Sequence, residues 1–199
     1  MLEIEGVSIR FGDNPEAVSD TTFTVGDRLA VVGETGSGKS VLLLAALGLL
    51  PASARVTGSI RLNGRELLGC REREFNRIRG KEIAYIPQGS GNGLNPLYTV
   101  GHQLCEAIRK HQPCTRREAL VQAAALLESF GLEHGVALCR SYPFQLSGGM
   151  RQRVLIAMGI AAGADLVLAD EPTKGLDRRR IALVEDAFQR LGERTLLCV

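Results

Sequence analysis

Residues 33–40 read Gly-Glu-Thr-Gly-Ser-Gly-Lys-Ser and fit the pattern G-x-x-x-x-G-K-[ST]. They lie between the apolar run Leu29–Val32, which reads as a buried strand, and the apolar stretch 41–50, which reads as a core helix. That context suits a phosphate cradle. Gly33, Gly36 and Gly38 let backbone N–H groups turn inward around phosphate oxygens, with Glu34, Thr35 and Ser37 completing the loop. The helix start beyond adds its positive end. Lys39 would reach the β- and γ-phosphates of a nucleotide, and the Ser40 hydroxyl would bind Mg²⁺. A second pattern is Leu166-Val167-Leu168-Ala169-Asp170-Glu171. An apolar strand there delivers two adjacent carboxylates to its C-terminal end, where parallel sheets bind ligands. Asp170 suits a Mg²⁺ partner, and Glu171 is placed to polarise a water attacking the γ-phosphate. A third is Leu146-Ser147-Gly148-Gly149-Met150. Ser147 reads as an N-cap, and the glycines bare a second set of anion-facing N–H groups.

The elements that must carry these groups are legible from periodicity. Leu2, Ile4, Val7, Ile9, Phe23 and Val25 alternate with polar residues, which predicts N-terminal strands. Residues 58–63 read as a strand closed by the turn Asn63-Gly64. The charged stretch 71–82 reads as a solvated helix, and 83–86 as a buried strand followed by the Gly/Asn loop GSGNGLNP. Residues 99–130 are helical in pattern, with a capping box at Thr115 and Glu118 and Gly131 as terminator. A helix follows Ser147, then strand 166–169, helix 178–191 with Gly192 after it, and strand 195–199. Strands alternating with helices predict an α/β fold with a largely parallel sheet.

Composition narrows the class. The chain has 199 residues, 45% hydrophobic and 23% charged, which is ordinary for a globular domain. A net charge of +2 leaves no footprint for nucleic-acid or polybasic membrane binding, so no nucleic-acid partner is expected. The longest apolar run, 41–50, is shorter than the ~20 residues a membrane span needs. The N-terminus MLEIEGVS lacks the pattern of a secretory signal. The five cysteines are scattered without a C-x-x-C pair, which argues for reduced thiols rather than zinc or a disulfide framework.

In that order, GETGSGKS, LSGGM and LVLADEP resemble the Walker A, signature and Walker B motifs of ABC-type ATPases. The resemblance covers essentially the whole chain. It implies a P-loop NTPase core with a mostly parallel sheet, an N-terminal antiparallel β part and an inserted helical subdomain. The core would be about 1–89 and 147–199, and the subdomain about 90–146. The cofactors would be ATP and Mg²⁺. Gln88 matches the Q-loop glutamine that senses Mg²⁺ and contacts a membrane partner. Asp177 in KGLD matches the D-loop aspartate, and Phe11, 22 residues before Gly33, matches an adenine-stacking aromatic. Ser147, Gly148 and Gly149 would touch the γ-phosphate held by another subunit, in a head-to-tail dimer. The partners implied are a second ATPase subunit (identical or different), integral membrane permeases and, indirectly, a solute-binding protein. The chain would sit peripherally at the cytoplasmic face of the membrane.

YPFQLSGGMRQRVLIAMGIA and GLNPLYTVG look most like the ATPases of peptide and nickel importers. Other ABC systems remain open: soluble proteins acting on nucleic acid or ribosomes, a component of phosphonate breakdown, or an inactive nucleotide-binding fragment. The 108 residues from Lys39 to Ser147 show no sustained heptads, which disfavours the first of these. The family also places a switch histidine after the strand that here is 195–199. None of His102, His111 and His134 occupies that position, so the chain is expected to be incomplete at its C-terminus. The strand 195–199 is expected in the middle of the sheet, beside the phosphate-loop strand, with its far neighbour missing and an apolar sheet edge left uncovered.

Overall fold

The computed structural model describes residues 1–88, 93–174 and 177–199. Strands β1 (Leu2–Phe11) and β2 (Glu16–Val25) pair antiparallel, and β4 (Ala54–Leu62) and β5 (Arg65–Glu66) extend the sheet in the order β2-β1-β4-β5. The alternation in β1 changes phase between Ile4 and Val7, and the structure supplies the reason. The register shifts there in both pairings, with Gly6 at φ +58. The opposing Gly58, at φ +91, has no room for a Cβ, which would fall 2.4 Å from the Gly6 carbonyl. One bulge thus returns Val7 and Ile9 to the buried face. The turn at Asn63-Gly64 has both residues at positive φ, as its type requires.

The second sheet is parallel throughout. It contains β3 (Arg28–Ala30), β6 (Ile83–Ile86), β7 (Leu166–Ala169) and β8 (Thr195–Cys198), in the order β3-β8-β7-β6. Alternate residues of its strands feed two cores. Ile83, Leu166, Leu168 and Leu197 pack with α1 (Lys39–Ala46), α2 (Glu72–Ile78) and the antiparallel sheet. Ala84, Ile86, Val167, Ala169 and Leu196 face the other way. They pack with α3 (Val100–His111), α4 (Arg116–Ser129), α6 (Gly148–Ile160) and α7 (Arg178–Gln189). A short α5 (Gly135–Leu138) lies against α4.

Four expectations are corrected. Leu29–Val32 is not a buried strand: β3 pairs only with β8 among the described residues, and Val32 is 91% exposed. β8 lies inside the sheet beside β3, as expected, but it has β3 and β7 on its two sides, so among the described residues the edge left uncovered there is that of β3. The helix expected over 41–50 ends at Ala46, where Gly48 at φ +62 turns the chain and the Arg79 guanidinium donates to the Leu47 and Gly48 carbonyls. The stretch 71–82 is not solvated all round, because α2 buries Phe75 and Ile78. Residues 89–92 of the Gly/Asn loop, and with them the boundary drawn at 89 and 90, lie outside the described residues, as do Gly175 and Leu176.

The cap of α4 is as the sequence predicts. The Thr115 hydroxyl accepts from the Glu118 N–H at 3.2 Å, and the Glu118 carboxylate accepts from the Thr115 N–H at 2.7 Å. Thr115→Ala is expected to lower the thermal midpoint by ~2–4 °C, measured by circular dichroism. An unchanged midpoint would mean that this cap contributes nothing to stability.

Candidate nucleotide site

Gly38, the residue before α1, sits at φ +87, and a Cβ there would lie 2.1 Å from the Ala17 carbonyl. Only glycine fits. α1 has no side-chain cap, so its first N–H groups are available to an anion. Lys39 Nζ folds over the loop and donates to the Gly33 and Glu34 carbonyls, each at 2.8 Å, and to Ser37 Oγ at 3.2 Å. The ammonium is therefore held where an incoming phosphate would meet it.

β7 and β6 bring the remaining groups to this loop. Asp170, one residue past β7, is 4% exposed. Its two oxygens accept from Ser40 Oγ at 2.7 Å and from the Tyr85 hydroxyl at 2.9 Å. Burial, then the hydrogen bond and charge of Asp170, push the Tyr85 phenol well up, so it stays a donor. Glu171 adopts φ +41, which places its backbone outside the strand conformation. Its N–H donates to the Val199 carbonyl at 2.8 Å. Glu171 Oε2 accepts from Gln88 Nε2 at 2.8 Å and pairs with Lys174 Nζ at 2.5 Å. Gly36, Gly38, Lys39, Ser40 and Glu171, with Ala17 and Val41, line one cavity of about 140 Å³.

The donors fit Mg²⁺. Ser40 Oγ and Asp170 Oδ1 are hard oxygens 2.7 Å apart, close enough to share one coordination sphere. No group of three or more His, Cys, Asp or Glu side chains forms a metal cluster among the described residues. Mg²⁺ does not need one, since it is usually held by one or two carboxylates, waters and substrate phosphates.

The structure thus brings together Gly36, Gly38, Lys39, Ser40, Gln88, Asp170 and Glu171. It does not bring Phe11, Ser147, Gly148, Gly149 or Asp177 to that cavity. Phe11 ends β1 and packs half-buried against the core beneath the antiparallel sheet. Ser147 caps α6, its hydroxyl accepting from the Met150 N–H at 3.3 Å. Asp177 precedes α7 and is exposed. The histidines stand elsewhere: His102 stacks on Tyr98 and pairs with Glu106, His111 lies beside Gly80, and His134 precedes α5. Sequence reasoning missed Tyr85 and Lys174. Tyr85 reads as one more apolar residue of a buried strand, and Lys174 as one more surface charge.

The sequence model of the family described as "ABC transporter" matches residues 18–174. The chain belongs to the ABC transporter family. It is 44% identical over 183 residues to the oligopeptide transport ATP-binding protein OppD of Mycobacterium tuberculosis, covering 89% of this chain and 30% of that protein. It is 41% identical over 183 residues to the dipeptide transport ATP-binding protein DppD of Escherichia coli K12, covering 89% and 56%. The chain therefore spans between about a third and just over half the length of these curated relatives. Among solved structures, it superposes on the bacterial ABC transporter cassette MJ0796 in a dimeric form with a TM-score of 0.84 and 25% identity, over 100% of this chain and 87% of that one. The parallel sheet, antiparallel β part and packed helices agree with that P-loop cassette architecture.

Proposed function

We propose that this chain is the ATP-binding and ATP-hydrolysing subunit of an ABC importer for peptides. The observation that carries the reading is the convergence of Lys39, Ser40, Asp170, Glu171 and Gln88 around the glycine loop. The names of the relatives support peptides over nickel complexes as cargo. Lys39 and the N–H groups of α1 hold the phosphates. Ser40 and Asp170 would hold Mg²⁺, which would supply positive charge to neutralise the phosphate oxygens. Glu171 accepts the proton of the attacking water, while the bond from the γ-phosphorus to the bridging oxygen breaks and leaves ADP. Gln88 holds the Glu171 carboxylate and, one strand away from Asp170, reports on whether the metal site is filled.

In this reading, about 1–89 and 147–199 form the nucleotide-binding core, and about 90–146 the helical subdomain. Ser147, Gly148 and Gly149 act on the ATP of a second ATPase subunit, which accounts for their place outside the cavity. Phe11 stacks on adenine, and Asp177 lies at the subunit boundary. The partners are that second subunit, integral membrane permeases and, indirectly, a solute-binding protein. No helix among the described residues is long and apolar enough to cross a membrane. In this reading the chain sits at the cytoplasmic face, attached through the permeases. Proteoliposomes carrying the assembled transporter should take up labelled oligopeptide only with internal or external Mg-ATP on the side of this subunit. Uptake of nickel complexes without peptide uptake would replace the cargo. Uptake that ignores ATP would overturn the function.

A further inference from the structure

Glu171 is approached by two donors, and both reach the same oxygen, Oε2. One is Gln88, on the neighbouring strand end. The other is Lys174, brought back by the turn Glu171-Pro172-Thr173-Lys174. The Lys174 N–H donates to the Glu171 carbonyl at 3.1 Å, and Pro172, at the second position of the turn, fixes its own φ. The cation is thus built into the same four residues as the carboxylate. The Lys174 side chain is 44% exposed and that of Glu171 19%, an arrangement that adds little to folding. Its consequence is orientation. A glutamate side chain has three rotatable bonds, and this one starts from a backbone at φ +41 beside the glycine loop. Both donors engage Oε2, and neither engages Oε1.

Resting on the reading of Glu171 as the proton acceptor, we propose that Lys174 is a positioning residue, which fixes Oε2 so that Oε1 meets the attacking water. It acts through Glu171 and makes no contact with nucleotide. Its loss should therefore slow the chemical step and spare binding.

The test compares steady-state hydrolysis and fluorescent-ATP titration across wild type, Lys174→Met, Lys174→Arg, Glu171→Gln and the double variant Lys174→Met with Glu171→Gln. Lys174→Met is expected to lower kcat roughly tenfold while KM and ATP affinity stay within about twofold. Lys174→Arg keeps charge and donors and should recover most of the loss. In the Glu171→Gln background, Lys174→Met should add nothing. Apart from activity, acetylation of Lys174 by acetic anhydride, which transfers one acetyl group to Nζ and releases acetate, should rise several-fold in Glu171→Gln when read by mass spectrometry, because the carboxylate that pairs with Nζ is gone. Lys174→Met turning over at the wild-type rate or faster, or losing activity through weaker ATP binding, would overturn the role of Lys174. If Glu171→Gln itself kept wild-type turnover, the assignment of Glu171 would fall as well. Loss of activity in Glu171→Gln without loss in Lys174→Met would remove only the Lys174 proposal.

Discussion

Glu171→Gln is expected to lower ATP turnover by ~10²-fold or more while leaving ATP binding intact, because the amide keeps the size of the side chain and loses the base. The geometry sharpens this expectation. Gln88 Nε2 can still donate to the amide oxygen of the new glutamine, while Lys174 Nζ loses its charged partner, so the strand end should hold its shape as the lysine is released. The variant should accumulate as an ATP-bound dimer, since the nucleotide that would close two subunits is no longer consumed. Phosphate release measured beside fluorescent-ATP titration separates the two effects. Turnover at the wild-type rate would show that another group takes the water's proton.

Lys39→Ala should act on binding instead. Its ammonium is held by three oxygens of the loop, the Gly33 and Glu34 carbonyls and Ser37 Oγ. A phosphate arriving there exchanges these neutral partners for a charged one, and charge-assisted hydrogen bonds are the stronger kind. Alanine removes that gain, and ATP affinity is expected to fall more than tenfold, or ~1.4 kcal/mol. The loop itself should persist, because Gly38 and its close approach to Ala17 do not depend on the lysine. Equal ATP affinity of the two proteins would sink the assignment of this loop as the phosphate site.

The two predictions differ in kind because the groups stand on different elements. Lys39 opens α1 and, in the proposed reading, meets the phosphates directly, whereas Glu171 follows a buried strand and acts through the attacking water. The strand ends are held in step by the parallel ladder, in which Ile86 is opposite Ala169 and Ala169 opposite Cys198. A one-residue slip of β7 would turn Asp170 away from Ser40 and lose the pairing of both carboxylates.

Much of this was determined by the sequence alone. The glycine spacing in 33–40 needs no distant partner to be read, because the positive φ of Gly36 and Gly38 is a local demand that glycine meets most readily. The capping box at Thr115 and Glu118, the N-cap at Ser147 and the Asn63-Gly64 turn are local in the same way. So is the all-apolar run Leu166–Ala169, every residue of which is buried. The tertiary structure alone decided which strand lies beside which. Leu29–Val32 and Leu166–Ala169 are equally apolar, yet among the described residues the first runs along an edge and the second is interior, because burial depends on neighbours that arrive from far along the chain. The same holds for the contacts within the site. Ser40 and Asp170 are 130 residues apart, and Gln88 and Glu171 are 83 apart. Tyr85 became a partner of Asp170 only when sheet register aimed its side chain, whereas Lys174 meets Glu171 within a single four-residue turn. Hydrophobic periodicity records which face of an element is buried, and it carries no record of which polar tip meets which.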